Sequence, residues 1–216
     1  MYDEGYLRYS NIRNMAWSLL IQCNMTRLPV DMRQMADQLG VSVMTYAESE
    51  KLIAACDLDA VRAQNRAFSV YTDRRFILYD AEGKTPMFAI AHELAHILLK
   101  HPTKKQKCGL FTAHYTDFNC DMLTFIAEEQ DADRLAVRLL SPACILRHLR
   151  VCDPKTLMEL CGLPSREAVE RVDRVAKLIQ KGHFFSHKDE ERVYEQFLPF
   201  MEGAPELFDL SCHQEG

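Results

Sequence analysis

A His-Glu-x-x-His pattern at positions 92–96 places two imidazoles and a carboxylate close together. Residues four apart lie on one face of a helix, so His92 and His96 can bind a single metal ion. Glu93 directly follows the first histidine, so its carboxylate is close enough to take a proton from a water molecule that the ion activates. This combination is typical of zinc-dependent hydrolases.

The residues around the pattern predict the helix that it requires. Thr85 is a good N-cap, and Pro86 at the first helical position loses no hydrogen bond. From there to about Lys100 the chain has no further proline and no glycine, and it is rich in Ala, Leu and Ile. Because the apolar residues recur at helical spacing, we expect a helix buried on most of its surface, in which histidines need polar or metal partners.

A catalytic zinc site usually has three protein ligands, so a third must come from elsewhere. Proteins with a third histidine in the pattern His-Glu-x-x-His-x-x-Gly-x-x-His are excluded as a class. This chain has Leu99 and Pro102 at the required positions, and His101 is one residue out of register. A helix predicted over 126–140 offers carboxylates instead, and its acids are Glu128, Glu129, Asp131 and Asp133.

Two of these acids, Glu129 and Asp133, are four residues apart and share a helix face. One carboxylate can then bind the metal while the other accepts the ring N–H of a ligand histidine and fixes its tautomer. The alternative interpretation of the same acids is a solvated helix surface. Two histidines and one carboxylate suit iron or manganese as well as zinc.

Four segments together resemble the ImmA/IrrE-type metallopeptidases, and the resemblance covers about residues 30–180. They are the strand-like 75–80, the histidine helix 88–99, the acidic stretch 129–136 and the Leu-Leu-Ser-Pro end at 139–142. The family has an Ala-His-Glu-Leu-Gly/Ala-His helix, a Glu-x-Glu-Ala-Asn/Asp-x-Phe-Ala helix and a Leu-Leu-Met-Pro end. This chain departs from those motifs, although at no proposed ligand, in three residues: Asp131, Leu135 and Ser141.

The resemblance implies a role for each residue that matches a family motif. His92, His96 and Glu129 would bind one zinc ion. Glu93 would be the general base, and Asp133 would hydrogen bond to a ligand histidine. The implied activity is that of a zinc-dependent endopeptidase acting on a specific protein, a DNA-binding repressor of a mobile element or stress regulon. The alternative is a non-catalytic regulatory protein that binds a repressor or antitoxin-type partner through a metal-stabilised fold.

The predicted elements indicate an α+β protein. The predicted strands span 41–45, 67–72 and 75–80, and two predicted helices, 6–26 and 31–39, precede them. A three-stranded sheet packed on a two-helix metal site gives a small zincin-like core, followed by a helical C-terminal half. We therefore predict a metallopeptidase core with N-terminal helices over residues 1–142 and a helical region over 143–216.

The C-terminal region contains a segment, 153–181, that resembles a helix-turn-helix unit. Asp153-Pro154 starts one predicted helix, which stops at Gly162, and Ser165 caps the next. The second helix carries four basic residues that could contact DNA: Arg166, Arg171, Arg174 and Lys177. Acids between them favour a packed helical pair over direct binding of nucleic acid. One more helix is predicted over about 188–197.

The composition limits the classes of protein to consider. The chain has 216 residues, of which 48% are hydrophobic, and a net charge of −5 that argues against nucleic acid as the main partner. The sequence contains no apolar run of 18 residues, so it predicts no membrane span. The eight cysteines form no Cys-x-x-Cys pair, a pattern that suits reduced thiols in a cytoplasm.

Residues 101–120 show no periodicity and are predicted to form a long loop, a kind of segment that often covers a site. In this loop His114 or Tyr115 could stabilise a transition-state oxyanion. Cys108 and Cys120 could be redox-active or bind metal. The simpler interpretations are exposed loop side chains and plain thiols.

Overall fold

The computed structural model describes residues 4–71, 74–101, 104–105, 111–112 and 122–203. The chain forms two compact units, Met32–Ala136 and the combination of Met1–Asp31 with Val137–Gly216. The elements in chain order are α1 (Glu4–Gln22), α2 (Met32–Gln38), β1 (Val41–Thr45), α3 (Glu50–Ala55), α4 (Asp59–Gln64), β2 (Ala67–Tyr71), β3 (Arg75–Tyr79), α5 (Pro86–Leu99), β4 (Lys104–Lys105), β5 (Phe111–Thr112), α6 (Met122–Leu140), α7 (Ala143–His148), α8 (Pro154–Cys161), α9 (Ser165–Gln180) and α10 (Lys188–Glu202).

The unit Met32–Ala136 is built on a small mixed sheet with the strand order β1-β3-β2-β5-β4. β1 runs parallel to β3, and β2 runs antiparallel to β3. These strands are the three predicted from the sequence, with β2 and β3 each ending one residue earlier. The two-residue strands β4 and β5 extend the sheet beyond β2. The protein is therefore α+β, as predicted.

The two faces of the sheet pack against different helices. Phe68 and Leu78 are cross-strand partners on one face, where they join a buried cluster that includes Ile53 of α3. Ser69 and Ile77 are partners on the opposite face, and α5 packs against their strands. The sequence did not predict α3 and α4, because six residues are too few to establish a helical period.

Helix α5 carries the His-Glu-x-x-His pattern and is buried along most of its length. It begins at Pro86 after the N-cap Thr85, whose side chain makes no capping hydrogen bond. It ends at Leu99, and the C-cap Lys100 adopts a left-handed conformation with φ 58°. Glu93 and His96 are only 1% and 2% exposed, so ionisable groups lie inside an otherwise apolar helix surface.

Helix α6 carries the acidic residues and begins one turn before the predicted start at residue 126. Its apolar stripe is buried through Ala132, Leu135 and Ala136. The helix ends where the hydroxyl of Ser141 donates to the carbonyl of Val137. One face is therefore held in the core, and the acids at 129 and 133 remain partly accessible.

The division into units differs from the predicted 1–142 and 143–216, because α1 belongs with the C-terminal helices. α1 packs against α10, and the side-chain amide of Gln196 donates to the carbonyl oxygens of Leu20 and Met25. α10 also continues past its predicted end at 197 and through Pro199. Phe197 and Met201 are both buried, so the packing of α10 offsets the hydrogen bond that proline cannot make.

The predicted helical pair 153–181 is present as α8 and α9. The Asp153 carboxylate caps α8 by accepting from the N–H of Thr156 at 2.8 Å, which holds the pKa of that carboxyl below its usual value. The predicted cap Ser165 is wrong by one residue, because Pro164 is the N-cap and Ser165 is the first helical residue. Arg171 is buried within this unit and so is not presented to solvent as a DNA contact.

The cysteines depart from the predicted uniform set of reduced thiols. Cys23, Cys144 and Cys161 are free thiols, and burial raises the pKa of Cys144 and Cys161 to about 12, so these two thiols are poor nucleophiles. Cys152, in contrast, is disulfide-bonded. No helix in the described part of the chain has the length and apolar character to cross a membrane.

Candidate metal centre

The two histidines of α5 and the acid Glu129 of α6 meet at one point. The Nε2 atoms of His92 and His96 are 2.9 Å apart. The Glu129 carboxylate spans both rings, with Oε2 3.3 Å from Nε2 of His92 and Oε1 3.3 Å from Nε2 of His96. The two helices therefore bring together the three ligands expected from the sequence, as a cluster that could hold a metal ion.

The hydrogen bonds behind His92 determine which ring nitrogen faces this point. Nδ1 of His92 lies 2.9 Å from Oδ1 of Asp133. A carboxylate only accepts hydrogen bonds, so Nδ1 carries the hydrogen and Nε2 of the neutral ring keeps a lone pair. Asp133 thus has the role expected from its position one turn after Glu129 on α6.

The second histidine, His96, is held on its far side by His101. Nδ1 of His101 lies 2.8 Å from Nδ1 of His96, so His96 also turns its Nε2 toward the cluster. His101 reaches this place because the chain turns at Lys100 and the His101 N–H donates to the carbonyl of His96 at 3.1 Å. The contact depends on the left-handed turn at Lys100, and the sequence gives no other indication of it.

The arrangement fits a metal ion on chemical grounds. Two imidazole nitrogens and a carboxylate point at each other, and lone pairs at these distances repel unless a cation lies between them. Ligands of a tetrahedral zinc ion at 2.0–2.1 Å lie about 3.3 Å apart, close to the separations around Glu129. The donor set is that of catalytic zinc sites with a fourth position left for water.

The pKa values show how the cluster manages its charge without a metal. Burial favours the neutral ring of His92, but the hydrogen bonds with Asp133 and Glu129 outweigh it and raise the pKa to about 10. Burial lowers the pKa of His96 to about 4, and the charge on His92 contributes to that shift. At neutral pH the ring of His92 is therefore protonated and the ring of His96 is neutral.

We expect metal affinity to rise with pH because the ion must displace that proton. The pKa of His92 is raised, so the proton stays bound until the pH passes about 10. Between pH 6 and 8 the affinity should increase about tenfold per pH unit, with about one proton released per ion. Calorimetry in buffers of different ionisation enthalpy measures both quantities. An affinity that stays constant over this range would contradict the assignment.

Replacing Asp133 by Asn should weaken metal binding about 10–100-fold, as loss of the carboxylate behind a ligand histidine does elsewhere. The amide keeps an acceptor for Nδ1 of His92 but removes the charge that makes the ring a better ligand. Competition with a fluorescent chelator measures the change. Asp37→Asn is the matched control, since Asp37 is an exposed acid on α2 of the same unit. Equal affinities of the two variants would show that Asp133 does not act through His92.

Glu93 lies inside the protein beside the cluster. Its side chain is 1% exposed, and its negative charge acts on both ligand histidines. Burial raises the pKa of Tyr46 and Tyr71, and the charge of Glu93 raises both further. The carboxylate is therefore buried, and its charge acts on two phenol groups as well as on the ligand histidines.

The other predicted site residues, His114, Tyr115, Cys108 and Cys120, lie outside the described residues. Within the part of the chain that the structure describes, the cluster of His92, His96 and Glu129 is the one group whose donors converge as metal ligands. The same donors suit iron and manganese as well as zinc. Comparison of the chain with protein-family models, with curated proteins and with solved structures finds no match.

Proposed function

We propose that this chain is a zinc-dependent endopeptidase of the ImmA/IrrE type, with a zincin-like core, that hydrolyses a peptide bond in a specific protein. The observation that carries the proposal is the convergence of two Nε2 atoms and the Glu129 carboxylate beside Glu93. A structural zinc site is usually closed by four protein ligands and has no use for a base next to it. Three ligands with an adjacent carboxylate favour catalysis.

Each residue of the site has a distinct task in this reaction. Asp133 and His101 hold the two ligand rings in orientation from behind. When bound, zinc supplies the Lewis acidity that activates water and polarises the peptide carbonyl. Glu93 takes the proton from the attacking water and delivers it to the nitrogen of the leaving amine. Its burial restricts the carboxylate to one place, which a proton transfer over hydrogen-bond distance requires.

The proposed substrate is a DNA-binding transcriptional repressor of a mobile element or stress regulon, cleaved in the cytoplasm. This part of the proposal rests on the family resemblance of positions 75–142. The net charge of −5 is consistent with an enzyme that acts on the repressor protein rather than on its DNA.

Mapping of new protein N-termini in cells tests the proposal. Cells that express the wild-type chain should contain one or a few N-termini within a DNA-binding protein that are absent from cells expressing Glu93→Gln. Elemental analysis of the same protein, purified without added metal, should find zinc in both forms. Identical sets of N-termini would favour the non-catalytic regulator, because a protein that only binds its partner is indifferent to the loss of a base.

A further inference from the structure

A cavity of about 370 Å³ lies in the unit formed by Met1–Asp31 and Val137–Gly216. This volume is in the range of pockets that bind small molecules. None of the proposed metal ligands lines the cavity, so the metal centre does not explain it. Its described lining contains four arginines against one carboxylate, that of Glu190: Arg13, Arg138, Arg171 and Arg174.

The single described lining carboxylate can balance only one of these four charges. Glu190 is 4% exposed and accepts a hydrogen bond from the backbone N–H of Phe185 at 2.8 Å. Burial raises its pKa, and the hydrogen bond from Phe185 and the charge of Arg13 act in the opposite direction. Guanidinium groups brought to one cavity repel each other unless an anion lies between them. The lining therefore has an excess of positive charge.

Arg171 is the most informative of the arginines. It is 6% exposed, and both its Nε and its Nη2 donate to the carbonyl of Ser141. Among the described residues no carboxylate lies within ion-pair distance of its guanidinium. Burial lowers the pKa of Arg171 to about 10, and the charge of Arg138 adds to the effect. A buried cation is costly without a counter-ion, and none of the described carboxylates supplies one, so this position favours a bound anion.

The other arginines are held in place before any ligand arrives. Nε of Arg174 donates to the hydroxyl of Tyr9 at 3.1 Å. The guanidinium groups of Arg138 and Arg174 lie 4.4 and 5.1 Å from the centroid of the Tyr9 ring. Arg13 lies 4.9 Å from the centroid of Trp17. Such fixed cations lose little conformational entropy when they bind an anion.

We propose that this cavity binds the phosphate group of a small molecule, with Arg171 at its buried end. The exposure of its lining supports entry from solvent, since Arg174, His183 and Ser186 are exposed while Arg171 and Trp17 are buried. Guanidinium groups bind phosphate through paired hydrogen bonds, and a phosphate dianion offsets more of the excess charge than one carboxylate. The buried position of Arg171 disfavours a macromolecular phosphate backbone.

The only tryptophan of the chain lines the cavity and reports binding directly. Titration with inorganic phosphate and with pyrophosphate, at ionic strength held constant with chloride, should change the emission of Trp17 in a saturable manner. Arg174→Gln should weaken the phosphate affinity about tenfold through loss of one charge-assisted hydrogen bond. Arg192→Gln, an exposed arginine of α10 outside the lining, should bind as the wild type does.

Further arms separate this site from its alternatives. Arg171→Gln should abolish the response, and circular dichroism verifies its folding. If it fails to fold, the exposed Arg174 variant carries the test. The response should persist in Glu129→Ala. A response caused by phosphate bound at the metal centre would be lost in that variant. No saturable response, an equal response to succinate, or equal affinities of the Arg174 and Arg192 variants would each overturn the proposal.

Discussion

Replacing Glu93 by Gln should lower the rate of substrate hydrolysis about 10²–10⁴-fold, the usual contribution of a general base. Glutamine has nearly the same shape as glutamate but cannot take a proton from the attacking water. Glu93 is not one of the three converging donors, so the variant should keep its metal. Single-turnover cleavage of the substrate found by N-terminal mapping measures the rate, and elemental analysis measures the metal.

Two controls separate loss of the base from general damage to the site. Glu128→Gln makes the same chemical change at a half-buried acid of α6 outside the cluster, and it should retain the wild-type rate. The tyrosine titration gives an independent check, because removal of the Glu93 charge should lower the pKa of Tyr46 and Tyr71. A Glu93→Gln protein that binds zinc and cleaves at the wild-type rate would rule out Glu93 as the base.

Replacing Glu129 by Ala should weaken metal binding by more than about 100-fold. Loss of a metal ligand lowers the affinity more than loss of a group that only hydrogen bonds to a ligand. The carboxylate faces both Nε2 atoms at 3.3 Å, so its removal leaves two imidazoles to hold the ion alone. Competition with a high-affinity chelator measures the dissociation constant. Hydrolysis should be lost together with the metal and return in part at high zinc concentration.

The adjacent acid provides the matched control for this prediction. Glu128→Ala removes a carboxylate one residue away on the same helix, but Glu128 is not in the converging cluster. It should therefore leave the dissociation constant within a few-fold of the wild-type value. Equal affinities of the two variants, both close to wild type, would mean that another residue supplies the third ligand.

Elements with a strong local signal were predicted within a few residues. Pro86 marked the start of α5, and short runs rich in β-branched and other apolar residues identified β1 and β3. Signals of this kind act over one or two turns of chain. The predicted end of α10 at residue 197 was wrong because tertiary packing outweighed the local signal. The helix continues through Pro199, since burial of Phe197 and Met201 on both sides of the proline outweighs one lost hydrogen bond.

The assignment of α1 to the C-terminal unit could not be predicted for a related reason. Gln196 hydrogen bonds to the carbonyls of Leu20 and Met25 across more than 170 positions of sequence. An amphipathic helix shows which of its faces is buried but not which partner covers that face. The same limit applies to Arg171, which had been grouped with three other basic residues although only its own side chain is buried.

For the metal centre, the amino-acid sequence by itself determined that His92 and His96 share one face of a helix with Glu93 beside them, because helix geometry is local. It also limited the candidates for the third ligand to the acids of one later helix. The tertiary structure decided that the Glu129 carboxylate meets both Nε2 atoms and that Asp133 and His101 hold the opposite ring nitrogens. The bond from His92 to Asp133 spans 41 residues, and contacts over such separations depend on how whole helices pack, which no spacing along the chain encodes.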